Sequence, residues 1–186
     1  VMHKQESFRL RAALLLLAAL LLACREKPRF AYDFEEKAIL VELSWQCRTL
    51  YRLSSFHPTV GANSLEVTFY PTPKGDGESY PGLLFSGFDP NWTKSRRLIF
   101  DAFNPEENDI RLSLRIDDRK DPDYSGRFNA EILLHPGDNH IAIPFSELVS
   151  SGTKQPLNFA SILKVALFLA NPEESHVIFF DGLRLD

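Results

Sequence analysis

Cysteine, methionine and tryptophan are scarce in this 186-residue chain, with two, one and two residues respectively. Positive charge is not in excess either: 21 Lys and Arg face 25 Asp and Glu, a net charge of −4. Nucleic acid is therefore not expected as a partner, because binding it calls for a concentrated basic face. No run of long amphipathic helices repeats along the chain, which argues against a TIM barrel or a dinucleotide fold. The five histidines are scattered and form no His-Glu-x-x-His pair, and no Gly-x-Ser-x-Gly elbow or phosphate-cradling glycine loop is present. Internal repeats and low-complexity segments are absent too.

What the chain does have begins with its first residues. Lys4, Arg9 and Arg11 precede an unbroken apolar run from Ala12 to Ala23, which ends at Cys24. A helix of that length reaches about 18 Å at ~1.5 Å per residue, short of the ~30 Å of a bilayer core. The basic flank and the length match the hydrophobic region of an export signal. Leu21-Leu22-Ala23-Cys24 resembles the lipobox of bacterial lipoproteins. That resemblance implies cleavage before Cys24, lipid on its side chain and a stable membrane anchor. The expected organisation is a signal peptide over 1–23, a lipid-anchored tether over 24–29 and a single domain over 30–186. Residue 25 is Arg rather than Asp, and by the same resemblance the outer membrane is the expected location. An ordinary cleaved signal with a coincidental cysteine is the competing reading. A lipidated Cys24 leaves Cys47 no partner within the chain, so the domain must hold together by its core. On a strand, Cys47 is expected to act as a small apolar core residue.

From about Phe30 the pattern has a period of two. Ile110, Leu112, Leu114 and Ile116 alternate with Arg111, Ser113, Arg115 and Asp117, the signature of a half-buried antiparallel strand. Phe128, Ala130, Ile132 and Leu134 alternate in the same way, as do Leu65, Val67 and Phe69. Further strands are expected near 30–35, 47–53, 82–88, 98–103, 140–144, 165–169 and 177–185. Turn residues such as Asn104-Pro105, Pro136-Gly137-Asp138 and Asn171-Pro172 separate them. One helical turn is expected at 146–150, capped by Ser146. Fifteen Phe against five Tyr point to an aromatic core with few polar atoms to satisfy. Nine or ten short strands between turns predict an all-β fold, a two-sheet antiparallel sandwich.

Several segments stand in a familiar order. Tyr32-Asp33-Phe34-Glu35-Glu36 is followed by Gly61-Ala62-Asn63-Ser64-Leu65, by Tyr80-Pro81-Gly82-Leu83 and by Asn91-Trp92. After these come Leu98 to Pro105, Tyr124 to Phe128, Gly137 to Pro144 and the closing Phe179-Phe180-Asp181-Gly182-Leu183. Together they resemble the galactose-binding-domain-like jelly roll used by many bacterial carbohydrate-binding modules.

The resemblance implies a structural calcium ion joining the first and last strands, with Asp33, Glu35 and Asp181 as its acidic ligands. Asp33 and Glu35, two apart, face the same way on an extended strand. The alternative is that these acids are solvated strand ends or salt-bridge partners. A glycan site is expected among Tyr80, Trp92, Asp117, Tyr124 and Arg127, with Trp45, Phe88 and Asp118 as further candidates, aromatic rings stacking on sugar C–H faces and polar groups bonding the hydroxyls. For each aromatic taken singly, packing is the competing assignment, above all for Trp92, which precedes a strand where this fold buries a tryptophan. The expected function is a non-catalytic glycan-binding lipoprotein of the cell envelope. An envelope accessory protein that docks onto another protein is the second reading. The third is a glycan hydrolase, which would need two carboxylates set across a cleft.

Overall fold

In the computed structural model, residues 30–186 other than 74 and 76 are described. The signal segment, Cys24 and the tether lie outside the described residues. The described chain forms eleven strands in two antiparallel sheets. One sheet holds β1 (Ala31–Tyr32), β3 (Thr49–Ser54), β4 (Ser64–Phe69), β6 (Arg97–Asn104), β9 (Gly137–Pro144) and β11 (His176–Leu185). Its order is β3-β4-β11-β6-β9, with β1 also paired to β11. The other holds β2 (Leu43–Gln46), β5 (Gly82–Phe85), β7 (Ile110–Asp117), β8 (Phe128–Leu134) and β10 (Lys164–Phe168), in the order β2-β5-β10-β7-β8. The expected all-β sandwich is what the chain forms.

The alternation read from the sequence decides which side of each strand is dry. Ile110, Leu112, Leu114 and Ile116 are all buried, as are Leu65, Val67 and Phe69. They meet the inward residues of the facing strands, Leu83, Phe85, Val165, Leu167, Ile178 and Phe180, in one apolar cluster. The phenylalanines supply much of its volume: Phe30, Phe34, Phe69, Phe85, Phe100 and Phe180 are each almost fully buried. Such aromatic burial is a large stabilising contribution with no polar atom left to satisfy.

Several details differ from expectation. A five-residue 3₁₀ turn, Lys37–Val41, and strand β2 fill the stretch before Cys47, where no element was expected. The helical turn lies at Phe145–Glu147, with Pro144 at its cap position and no side-chain cap bond, so Ser146 sits inside the turn. Cys47 is exposed, with its Sγ 3.6 Å from the Ser79 hydroxyl, and is not part of the core. It falls in the connection between β2 and β3, where the chain passes from one sheet to the other and no sheet covers it.

Candidate functional site

Antiparallel register places the outward residues of the five-stranded sheet beside one another. Arg115 lies opposite Asn129 on β8 and Ala166 on β10, and Ser113 lies opposite Glu131 and Phe168. Gln46 of β2 stands opposite Gly82 of β5, which in turn faces Phe168. A cleft of about 370 Å³ opens on this face, lined by these residues other than Gly82 together with Tyr80, Tyr124 and Arg127.

Each wall is held in place. Tyr80 stands edge-on to Phe168, ring centroids 5.8 Å apart at 84°. Its hydroxyl donates to the Glu78 carboxylate, and this hydrogen bond to the protonated form pushes the phenol's pKa up, with desolvation and the Glu78 charge adding to it. At Gly82 the backbone comes so near β10 that an added Cβ would lie 2.4 Å from the Phe168 Cβ. Only glycine lets the Phe168 side chain form the floor there.

Across the cleft, Tyr124 is 66% exposed and the Arg127 guanidinium stands 5.7 Å from its ring centroid. That distance suits a cation–π contact. Arg127 also donates from Nε to the Asn129 side-chain oxygen at 3.1 Å. Burial lowers its pKa, and the like charge of Arg115 adds to the shift. The loop carrying Tyr124 is braced by bonds from Gly126 N to Asp123 at 2.8 Å and from Arg119 to the Gly126 carbonyl at 3.0 Å. Gly152 N donates to the Ser125 carbonyl at 2.9 Å, tying the same loop to the turn after β9.

Of the five residues expected at a glycan site, the structure brings three together: Tyr80, Tyr124 and Arg127. Trp92 is corrected. It is 1% exposed and packs on Phe30, Phe88 and Phe145, with centroids 5.3, 5.7 and 5.9 Å away. Its ring closes one end of the core and cannot meet a ligand. Asp117 is corrected in a different sense. It too is 1% exposed, and it reaches the site only through Arg115, which it grips with two bonds of 2.8 and 2.6 Å. Lys164 adds a second positive charge at 3.7 Å.

Gln46, Ser113, Arg115, Asn129, Glu131 and Phe168 were not singled out from the sequence. The signal for several of them was present, since Ser113, Arg115 and Glu131 occupy the polar phase of strongly alternating strands. What the sequence withheld was which strands lie side by side.

The three acids expected to bind calcium do not converge on a cation. Glu35 accepts the backbone N–H groups of Ala62 and Asn63 at 2.9 and 2.8 Å. Asp181 accepts those of Thr59 and Val60 at 2.6 and 2.8 Å, and that of Gly182. Asp33 is exposed and bonds the N–H of Glu35 at 3.3 Å. These oxygens already face the positive ends of N–H dipoles, the opposite of what a cation requires. Among the described residues, no group of three or more His, Cys, Asp or Glu side chains is placed to hold a metal. Glu35 and Asp181 instead fasten the loop between β3 and β4 through its backbone N–H groups, and among the described residues they are neither solvated strand ends nor salt-bridge partners. Gly61 takes φ +68° at that loop, and a Cβ there would strike the Glu35 carboxylate at 2.5 Å.

Two packed antiparallel sheets in this order form a β-sandwich of the jelly-roll type, with a polar cleft across one outer face. Solved structures bear out the fold. The family 11 carbohydrate-binding module from Clostridium thermocellum, in complex with a β-1,3-1,4-mixed-linked tetrasaccharide, superposes with a TM-score of 0.62 at 19% identity, over 87% of this chain and 96% of that one. A solution structure of a family 11 module gives 0.64 at 18% identity, over 88% and 96%. An exo-β-agarase gives 0.63 at 16% identity, where 87% of this chain covers 25% of the enzyme. No protein-family profile matches the sequence, and no curated protein matches it.

Proposed function

We propose that this chain binds a glycan in the cleft on the outer face of its five-stranded sheet, without covalent chemistry, as a lipid-anchored protein of the bacterial cell envelope. The observation that carries this reading is the meeting of Tyr80, Tyr124 and Arg127, from separate parts of the chain, around one polar cleft. A sugar ring has apolar C–H faces and a rim of hydroxyls, and this cleft offers a partner for each. Tyr124 and Tyr80 supply faces to stack on. Arg115 and Arg127 donate to hydroxyls, Glu131 accepts from them, and Gln46 and Asn129 do both. The complex of a module of the same fold with a β-1,3-1,4-mixed-linked tetrasaccharide supports the choice of ligand class.

Glu131 is the one carboxylate among the lining residues of the cleft, and it is paired with Arg111. Glycoside hydrolysis needs two carboxyl groups on opposite sides of the scissile bond. The match to an agarase spans a quarter of that enzyme, as a module within a larger protein does. The lipid anchor rests on the sequence preceding Phe30. Five residues separate Cys24 from Phe30 and reach at most about 18 Å when extended, so an anchored domain works close to its membrane.

Calorimetric titration with mixed-linkage β-1,3-1,4-glucan and agarose-derived oligosaccharides tests the binding. Saturable binding that Tyr124→Ala weakens about five- to tenfold is expected, since an exposed stacking ring contributes on the order of 1 kcal/mol. Lack of binding across these and envelope polysaccharides would overturn the reading. Palmitate labelling that depends on Cys24 tests the anchor.

A further inference from the structure

An exposed tryptophan stands outside the cleft just described. Trp45, on edge strand β2, is 61% exposed, and Leu50 and Tyr70 are exposed beside it. With Arg48, Thr49 and Tyr51 they line a shallow, mostly apolar depression where the edge strands of the two sheets approach. Large aromatic side chains gain more from burial than most residues, and exposed apolar clusters of this kind mark binding surfaces.

The depression is joined to the cleft. Gln46 and Tyr80, which line the cleft, also line a second hollow together with Cys47, Arg48, Glu78 and Ser79. Arg48 in turn lines the depression at Trp45. A continuous track therefore crosses the sheet from Tyr124 over β8, β7, β10 and β5 and rounds the edge at β2. Five strands at about 4.8 Å spacing make this path roughly 19 Å before the edge is reached, which is the length of several sugar units.

We infer that Trp45 and Tyr70 form an additional subsite for the same glycan, occupied only when the chain is long enough to leave the cleft over β2. This rests on the glycan reading of the cleft and deepens it: the ligand is a linear polysaccharide bound along its length, and the edge aromatics select for longer chains. Trp45 presents a face for stacking on a sugar ring, and Gln46 bonds the segment between.

The test is affinity against chain length, for β-1,3-1,4-glucan and agarose oligosaccharides from tetrasaccharide to polymer, with wild type and Trp45→Ala. Polymer binding is expected to weaken about five- to tenfold in the variant, the effect of one stacking ring. Tetrasaccharide binding is expected to stay within about twofold of wild type by the same scale. Iodide quenching of fluorescence gives an independent readout, because Trp92 is buried and Trp45 is the accessible tryptophan. Polymer should shield Trp45 and tetrasaccharide should not. Tetrasaccharide binding with no length dependence and no shielding overturns the edge subsite while leaving the cleft intact. Absence of binding at every length overturns both.

Discussion

Arg115 and Asp117 stand two residues apart on β7 and meet in a two-pronged ion pair, Nε to Oδ1 at 2.8 Å and Nη2 to Oδ2 at 2.6 Å. Asp117 is buried, whereas Arg115 reaches the cleft. The pair fixes a guanidinium that would otherwise sample many rotamers. Asp117→Asn should lower stability by on the order of 2–3 kcal/mol, below the usual range for breaking a buried pair because Arg115 is partly exposed. It should also weaken glycan binding without removing any group that touches the ligand. Urea denaturation and titration of the same variant check both.

Tyr124 is the opposite case. Its exposed ring contributes little to the core, so Tyr124→Ala should leave the melting temperature near that of wild type. The same variant should lose glycan affinity about five- to tenfold. A matching loss of stability would make the ring a packing residue.

Trp92→Ala should cost about 3–5 kcal/mol, the scale of removing a large buried aromatic, because it empties the space between Phe30, Phe88 and Phe145. Trp92→Phe should restore much of that loss. Neither should alter ligand specificity, since the ring faces the core.

Alkaline stability should depend on Tyr32. Burial, with the nearby Glu42 charge adding to it, pushes its phenol up to about 12 from 10.0. Its folded form holds the proton more tightly than the unfolded form. The resulting stability is present below pH 10 and is lost as pH rises from 10 toward 12, by on the order of 2 kcal/mol. Tyr32→Phe should flatten that part of the stability–pH curve, measured by denaturant titration.

Calcium should not stabilise the domain. Glu35 and Asp181 already accept backbone N–H groups from the loop between β3 and β4. Melting temperatures in EDTA and in millimolar calcium should agree, because a ligand that does not bind the folded state shifts nothing.

Much of the fold was legible because period-two alternation is a direct imprint of a sheet with one dry face. Ile110 to Asp117 shows it residue by residue. Strand β2 escaped notice because Leu43 is its only buried position, and a short edge strand with one core contact leaves no pattern. The site was legible in part. Tyr80 and Tyr124 could be singled out as aromatics in loops, and so could Trp92, whose burial depends on Phe30 and Phe145 arriving from distant segments. Arg115 and Asn129 carried the polar phase of their strands, yet only the order β10-β7-β8 makes them neighbours. Asp33, Glu35 and Asp181 show the limit of residue type as a guide. Carboxylates gather at cation sites and equally at exposed N–H groups, and the loop backbone decides between them.

The central claim is that ligand meets the outer face of the five-stranded sheet. Backbone amide chemical shifts recorded while a β-1,3-1,4-glucan or agarose oligosaccharide is titrated in test it most directly. The account predicts changes concentrated on Ser113–Arg115, Arg127–Glu131, Ala166–Phe168 and the segments around Tyr80 and Tyr124. Changes confined to the outer face of β6, β9 and β11, with those residues still, would contradict it.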